Sequence, residues 1–215
     1  MIYIIDLIPQ AVAKNLSDFY DFCQFEDGSV SGSANRLEKY TERICDEVHY
    51  PTMSGMLNKT VATNDLLQYV YMPKMSSSPQ FVRYAEDMHY SWHYDKWIID
   101  GMRTDYSVTL FLNDPSEYDG GELEILVGNS GSTTYKLKPG QAVIYSTGLH
   151  HRVKPVTRGE RRVACWWMNS LIDDPTHREL LVDLSECIIN VEIDHKMRGR
   201  LENLRAKYIR ANATL

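Results

Sequence analysis

His93 and Asp95 stand two residues apart, and a second histidine pair, His150-His151, follows farther along the chain, shortly before the pair Arg161-Arg162. In an extended chain, residues i and i+2 share a face, so His93 and Asp95 can reach one ion together. One more imidazole completes a set of two histidines and one carboxylate on one side of a metal. That set leaves the opposite side open and suits iron(II) in sites that activate O2. An arginine nearby adds a rigid fork that fits a carboxylate with two hydrogen bonds. The His-x-Asp pair alone carries little weight. With seven histidines in the chain, a chance pair arises in roughly a third of such sequences.

Two choices follow from strand parity, because adjacent residues on a strand face opposite ways. His151 begins the alternating run His151, Val153, Pro155. Arg161, Val163, Cys165 and Trp167 alternate in the same way on a later stretch. Turning these two faces toward one cavity favours His151 over its neighbour His150. An arginine on such a face would be an uncompensated buried charge unless a carboxylate meets it there. Taken by itself, Arg161 or Arg162 reads as a surface residue of a Gly-Glu-Arg-Arg turn.

The elements that must position these residues are mostly strands. Residues 106–113 alternate, with Val108, Leu110 and Leu112 on one side. Stretches at 121–127, 133–137, 142–146, 151–156 and 161–169 follow, separated by Gly, Pro or Asn turns. Short strands with regular turns predict a sandwich or jelly roll. Ahead of them, residues 1–8 predict a strand and Pro9 opens a helix reaching about residue 26. Leu37, Tyr40, Ile44 and Val48 have helical spacing over 35–48. Residues 61–71 fit helix or strand, and 73–79 read as a polar loop. Beyond Pro175 the chain is helical to its end. The expected class is α+β: a double-stranded β-helix (jelly-roll) core over 79–172. The N-terminal helices of 1–78 support one sheet, and a helical extension covers 173–215.

Composition narrows the function classes. The 215 residues, of which 43% are hydrophobic and 24% charged, suit a single catalytic domain. A net charge of −6 gives no general attraction to phosphate backbones, so nucleic acid is not expected as a partner. Cys23, Cys45, Cys165 and Cys187 form no Cys-x-x-Cys pair and read as reduced thiols. No signal peptide or transmembrane stretch is recognised, so the expected location is cytoplasmic. The basic, amphipathic segment 196–212 is a solvated face or a surface for homodimerisation.

The order and local context of several segments resemble a known family. Phe81-Val82-Arg83-Tyr84, His93-Tyr94-Asp95 and the stretch from Arg103 to Asn113 come first. The Gly-Gly-Glu-Leu hairpin at Tyr118-Asp119-Gly120-Gly121-Glu122-Leu123 follows, then Lys138-Pro139-Gly140, Tyr145, His151-x-Val153-x-Pro155-Val156 and Gly159-Glu160-Arg161. Together, over about 80–185, they resemble the iron(II)/2-oxoglutarate oxygenases, in the prolyl-4-hydroxylase-like branch and its PKHD-type hydroxylases. The resemblance implies that His93, Asp95 and His151 hold Fe(II). It implies that Arg161 pairs with the distal carboxylate of 2-oxoglutarate and that Tyr84 hydrogen-bonds this cosubstrate. Phe111 stands where some prolyl hydroxylases carry a second tyrosine to the cosubstrate. Leu110, Leu112, Val153, Val163 and Trp167 are the expected pocket lining.

The implied reaction is hydroxylation of an unactivated C–H bond by O2, with 2-oxoglutarate decarboxylated to succinate and ascorbate a candidate reductant. Peptidyl proline is the first substrate to consider, and a free amino acid or other small metabolite the next. Two further readings share the fold: a cupin-like metal dioxygenase that does not use 2-oxoglutarate, and a jelly-roll interaction module without chemistry. The segment 96–101, with Gly101 as a hinge, is expected to close over substrate.

Overall fold

The computed structural model describes residues 2–31, 37–128 and 131–214. Strand β1 (Ile2–Asp6) leads into helix α1 (Gln10–Phe19), β2 (Phe25–Asp27) and a 3-10 turn over Gly28–Ser31. Next come β3 (Lys39–Tyr40), β4 (Glu42–Ile44), α2 (Tyr50–Ala62) and α3 (Asp65–Tyr71). The strand-rich part runs β5 (Pro73–Ser76), β6 (Gln80–Tyr84), β7 (His89–His93), β8 (Ile98–Ile99), β9 (Met102–Arg103) and β10 (Tyr106–Phe111). It continues with β11 (Asp119–Gly120), β12 (Leu123–Val127), β13 (Gly131–Tyr135), β14 (Gln141–Ser146), β15 (His151–Val153), β16 (Val156–Arg158) and β17 (Arg161–Ser170). Helices α4 (Pro175–Asn190) and α5 (His195–Asn212) close the chain.

Two antiparallel sheets face each other as a jelly roll. The major sheet runs β1-β14-β10-β17-β6-β4-β2, with β5 also on β17, and the minor sheet runs β13-β12-β15-β7-β3. The N-terminal support region is thus woven into the core: residues 1–78 give four strands to the major sheet and one to the minor.

The segment expected to be helical over 35–48 instead supplies β3 and β4. Leu37 and Val48, half of the supposed apolar face, are 86% and 76% exposed. The open backbone edges of β7 and β6 capture this stretch, a long-range demand that outweighs local spacing. Likewise the polar loop over 73–79 contains β5, whose Met75 pairs with Asn169 of β17. The ambiguous stretch 61–71 is helical. Asn64 caps α3 by accepting the Leu67 amide at 2.8 Å.

Each face of the major sheet has its own core. Leu16, Leu57, Leu67, Val108, Leu110, Leu112 and Ile144 pack between the sheet and the helices. Val82, Phe111, Leu123, Ile125, Val143 and Val163 fill the space between the two sheets. Leu110 and Leu112, expected in the pocket, therefore lie on the opposite side of their strand. Ser107, Thr109 and Phe111 are the residues of β10 that look inward. The reason is that both faces of β10 are buried, so apolar alternation does not say which one borders a cavity.

The Gly-Gly-Glu-Leu stretch is a crossing between pairings and not a hairpin. Gly120 pairs with Val156 of β16, whereas Leu123 pairs with Val153 of β15. Gly120 and Gly121 have φ of +70° and +67°. A Cβ at Gly120 would lie 2.1 Å from the Pro155 carbonyl oxygen, so glycine is required there.

Candidate active site

The inner faces of the two sheets enclose a cavity of about 440 Å³. His93 ends β7, Asp95 follows in the next loop and His151 opens β15; His151 and His93 are direct cross-strand partners. Asp95 Oδ1 lies 3.7 Å from His93 Nε2, and Oδ2 lies 3.7 Å from His151 Nε2. The three side chains thus bring one ligand atom each to a common point. His150 points the other way, stacked on Tyr94 with ring centroids 4.5 Å apart.

The surroundings prepare both imidazoles. His93 Nδ1 is 2.8 Å from the Ser91 carbonyl oxygen and His151 Nδ1 is 2.9 Å from that of Leu149. Donation to these carbonyls leaves both Nε2 lone pairs aimed inward. Burial, helped by neighbouring His151, pushes the pKa of His93 down to about 4 and keeps its ring neutral. Tyr90 stacks on His93 at 3.5 Å between centroids. Ser107 donates its hydroxyl to Asp95 Oδ2 at 2.7 Å.

Arg161 lines the cavity and is 1% exposed. Its guanidinium lies 4.9 Å from the Tyr84 ring centroid and 5.3 Å from that of Phe111. Among the described residues, no carboxylate pairs with it, and its Nε has no hydrogen-bond partner. An isolated buried cation is costly, so this group is built to receive an anion. Arg162, on the outer face, is fully engaged with Asp21 and Glu160, each at 2.6 Å, and with the Ser17 carbonyl. Parity along β17 thus separates a structural arginine from one that faces the cavity.

Of the other expected residues, Tyr84, Val153, Val163 and Trp167 line the cavity. Burial raises the pKa of the Tyr84 phenol to about 12, so it stays protonated and can donate. Three lining residues had no assigned part in the sequence reading: Ser107, Thr109 and Lys39. Tyr118, fully buried beside the Arg161 stem, has a hydroxyl without a partner among the described residues. Such residues carry no motif of their own. Only the inward parity of their strands, unknown before the sheets are paired, could have found them.

A second group that could hold an ion, Cys23, Asp46 and His49, lies away from this cavity. Its carboxylate already accepts the amides of Gln24, Val48 and His49 and meets the His49 ring at 3.0 Å. It ties together the turn that leads into α2.

Comparison with known proteins agrees with this geometry. The family model of the 2OG-Fe(II) oxygenase superfamily matches residues 79–169. A PKHD-type hydroxylase of Maricaulis maris is 35% identical over 187 residues, 86% of this chain and 85% of that one. The chain belongs to this oxygenase superfamily. Within it the chain stands with the PKHD-type hydroxylases; one from Sphingopyxis alaskensis is 36% identical over 86% of both chains. It is therefore an iron(II)- and 2-oxoglutarate-dependent hydroxylase, an oxidoreductase that uses O2. Two solved structures share the fold. A Pseudomonas putida prolyl-4-hydroxylase has TM-score 0.58 at 16% identity, covering 79% of this chain and 92% of its own. A Trichoplax adhaerens prolyl hydroxylase, solved with a peptide fragment of the hypoxia inducible factor oxygen degradation domain, has TM-score 0.58 at 17% identity, covering 83% and 86%. Among the described residues, no helix is long and apolar enough to cross a membrane.

Proposed function

We propose that His93, Asp95 and His151 hold the iron of this hydroxylase and that Arg161 and Tyr84 hold the distal carboxylate of 2-oxoglutarate. The observation that carries this reading is the buried Arg161 guanidinium, with its Nε lacking a partner, in the same cavity as the three-ligand cluster. The donor set fits iron(II): two imidazoles with inward Nε2 atoms and one oriented carboxylate. Bound there, iron and 2-oxoglutarate would supply the oxidising chemistry.

The remaining work falls to the chain. Arg161 and Tyr84 orient the cosubstrate by charge and hydrogen bond. Val82, Val163, Phe111 and Tyr145 keep water from its carbon skeleton. The hairpin of β8 and β9 turns at Asp100 and Gly101, both at positive φ. Its base is tied down: Thr104 donates to the Lys96 carbonyl, and Arg103 pairs with Asp105 and Asp173. Ile98, Ile99 and Asp100 of this hairpin reach the cavity, so substrate passes beside it. Peptidyl proline is the first substrate to test, since the structural neighbours are prolyl hydroxylases.

The test is an anaerobic titration of the metal-free protein with iron(II) and then 2-oxoglutarate. A visible charge-transfer band needing both, and weakened in Arg161→Ala, is expected. Iron binding without such a band would return the chain to the cupin-like reading.

A further inference from the structure

Tyr118 and Arg161 each keep a polar atom that is buried and without a hydrogen-bond partner among the described residues: the phenol hydroxyl of one and Nε of the other. The two side chains flank the same glycine. A Cβ at Gly121 would lie 3.2 Å from Arg161 Cδ, the carbon that carries Nε, and 3.3 Å from Tyr118 Cε2, the neighbour of the carbon that carries the hydroxyl. The guanidinium also acts on the phenol directly. Burial raises the Tyr118 pKa, and the charge and hydrogen-bonding capacity of Arg161 work against that rise. A buried polar atom left unpaired is costly, and two side by side have a mutual remedy. Arginine only donates, whereas a phenol oxygen also accepts. Nε–H can therefore donate to the Tyr118 oxygen.

The other rings around Arg161 do not offer this. Phe111, 5.3 Å from the guanidinium, has no polar atom, and the hydroxyl of Tyr84, at 4.9 Å to its ring, is assigned above to the cosubstrate. Tyr118 is fully buried and is not among the residues that line the cavity, so it meets Arg161 from behind. It is also held in place. Lys136 Nζ lies 4.3 Å from its ring centroid and donates to its carbonyl at 2.7 Å. Its Cα lies 3.0 Å from where a Cβ of Gly159 would stand, in the turn that leads into Arg161. Tyrosine and arginine are thus packed against each other through two glycines.

We propose that Tyr118 is a positioning residue for the cosubstrate: its hydroxyl accepts Arg161 Nε–H when 2-oxoglutarate is seated, and so fixes the rotation of the guanidinium toward the distal carboxylate. The inference rests on the assignment of Arg161 to 2-oxoglutarate and deepens it. Without cosubstrate both atoms stand unpaired. Pairing them on binding adds to affinity, and a braced arginine presents its fork in one orientation.

The experiment uses the whole chain loaded anaerobically with iron(II) and titrated with either of two keto acids, the visible charge-transfer band being the readout. 2-Oxoglutarate carries the distal carboxylate; 2-oxobutyrate offers the same keto acid group to the metal and lacks it. Tyr118→Phe removes one oxygen and is expected to weaken 2-oxoglutarate binding about tenfold, the loss typical of a hydrogen bond to a charged group. It should leave 2-oxobutyrate binding unchanged. The melting temperature of the metal-free variant should hold or rise, because an unpaired buried hydroxyl has gone; a merely structural tyrosine would lower it. In an Arg161→Met background, Tyr118→Phe should cost nothing further, since the tyrosine acts through the arginine. Unchanged 2-oxoglutarate affinity in Tyr118→Phe would overturn the proposal. So would an equal loss for both keto acids, or a full further loss in the Arg161→Met background. Equal affinity of the wild type for the two keto acids, or no band at all, would sink the underlying assignment instead.

Discussion

Ser107 and Asp95 meet at 2.7 Å, hydroxyl to Oδ2, although one sits on a central strand of the major sheet and the other in a loop leaving the minor sheet. The same hydroxyl contacts Thr147 Oγ1 at 3.2 Å. This bridge fixes the rotation of the carboxylate, so that Oδ1 faces His93 while Oδ2 faces His151. Ser107→Ala is expected to lower iron affinity by about 10–100-fold, the usual effect of removing a group that orients a ligand. Competition with a chromophoric chelator measures it. An unchanged affinity would mean that the loop alone orients Asp95.

The two histidines at 150 and 151 should behave oppositely. His151→Ala removes a proposed ligand and is expected to abolish iron-dependent turnover. His150→Ala removes an outward ring stacked on Tyr94 and should leave turnover within a small factor of wild type. Succinate formation reads both, and the reverse pattern would mean that the strand faces the other way.

Arg161 and Arg162 should separate in the same manner, with a stability signature as well. Arg161→Met is expected to weaken 2-oxoglutarate binding by about 2 kcal/mol or more, roughly thirtyfold. Without cosubstrate it should hold or raise the melting temperature, because an uncompensated buried charge is replaced by an apolar stem. Arg162→Ala should lower the melting temperature by loosening α1 from β17 and leave 2-oxoglutarate affinity intact. Thermal melts with and without 2-oxoglutarate decide both.

Gly121 lies against the arginine it supports. A Cβ there would stand 2.9 Å from Val156 Cγ2 and 3.2 Å from Arg161 Cδ, at a φ of +67°. Gly121→Ala is therefore expected to destabilise the fold by about 1 kcal/mol or more through backbone strain and to weaken 2-oxoglutarate binding by shifting Arg161. Iron affinity should change little. Equal loss of both affinities would indicate general unfolding instead.

Acid should weaken the turn that leads into α2. Hydrogen bonds from the His49 ring, and then from backbone amides, hold the Asp46 carboxyl well below the usual carboxylate range. Such a group binds fewer protons folded than unfolded. Its contribution is therefore complete above the unfolded pKa of about 4 and fades as pH falls below it toward the folded value. Asp46→Asn should flatten the fall of melting temperature between about pH 4 and pH 2. An unchanged slope would assign the acid sensitivity to other carboxylates.

The sequence by itself pointed to the chemistry. His93-x-Asp95, a histidine at 151 and an arginine ten residues on are local facts of type and spacing; alternation favoured His151 over His150, and the family resemblance favoured Arg161. The starts of the helices after Pro9 and at Pro175 were legible because periodicity acts locally, but α1 ends at Phe19, short of the expected residue 26, and the tail divides into α4 and α5. Tertiary structure alone decided which residues share the cavity. Both faces of β10 are buried, so its pattern did not say that Thr109 rather than Leu110 faces the cavity. Lys39 sits where the open edge of β7, distant in sequence, draws in a segment whose own spacing suggested a helix. Strand pairing is set by backbone groups far apart in the chain, and it is pairing that turns a row of residues toward the proposed iron site.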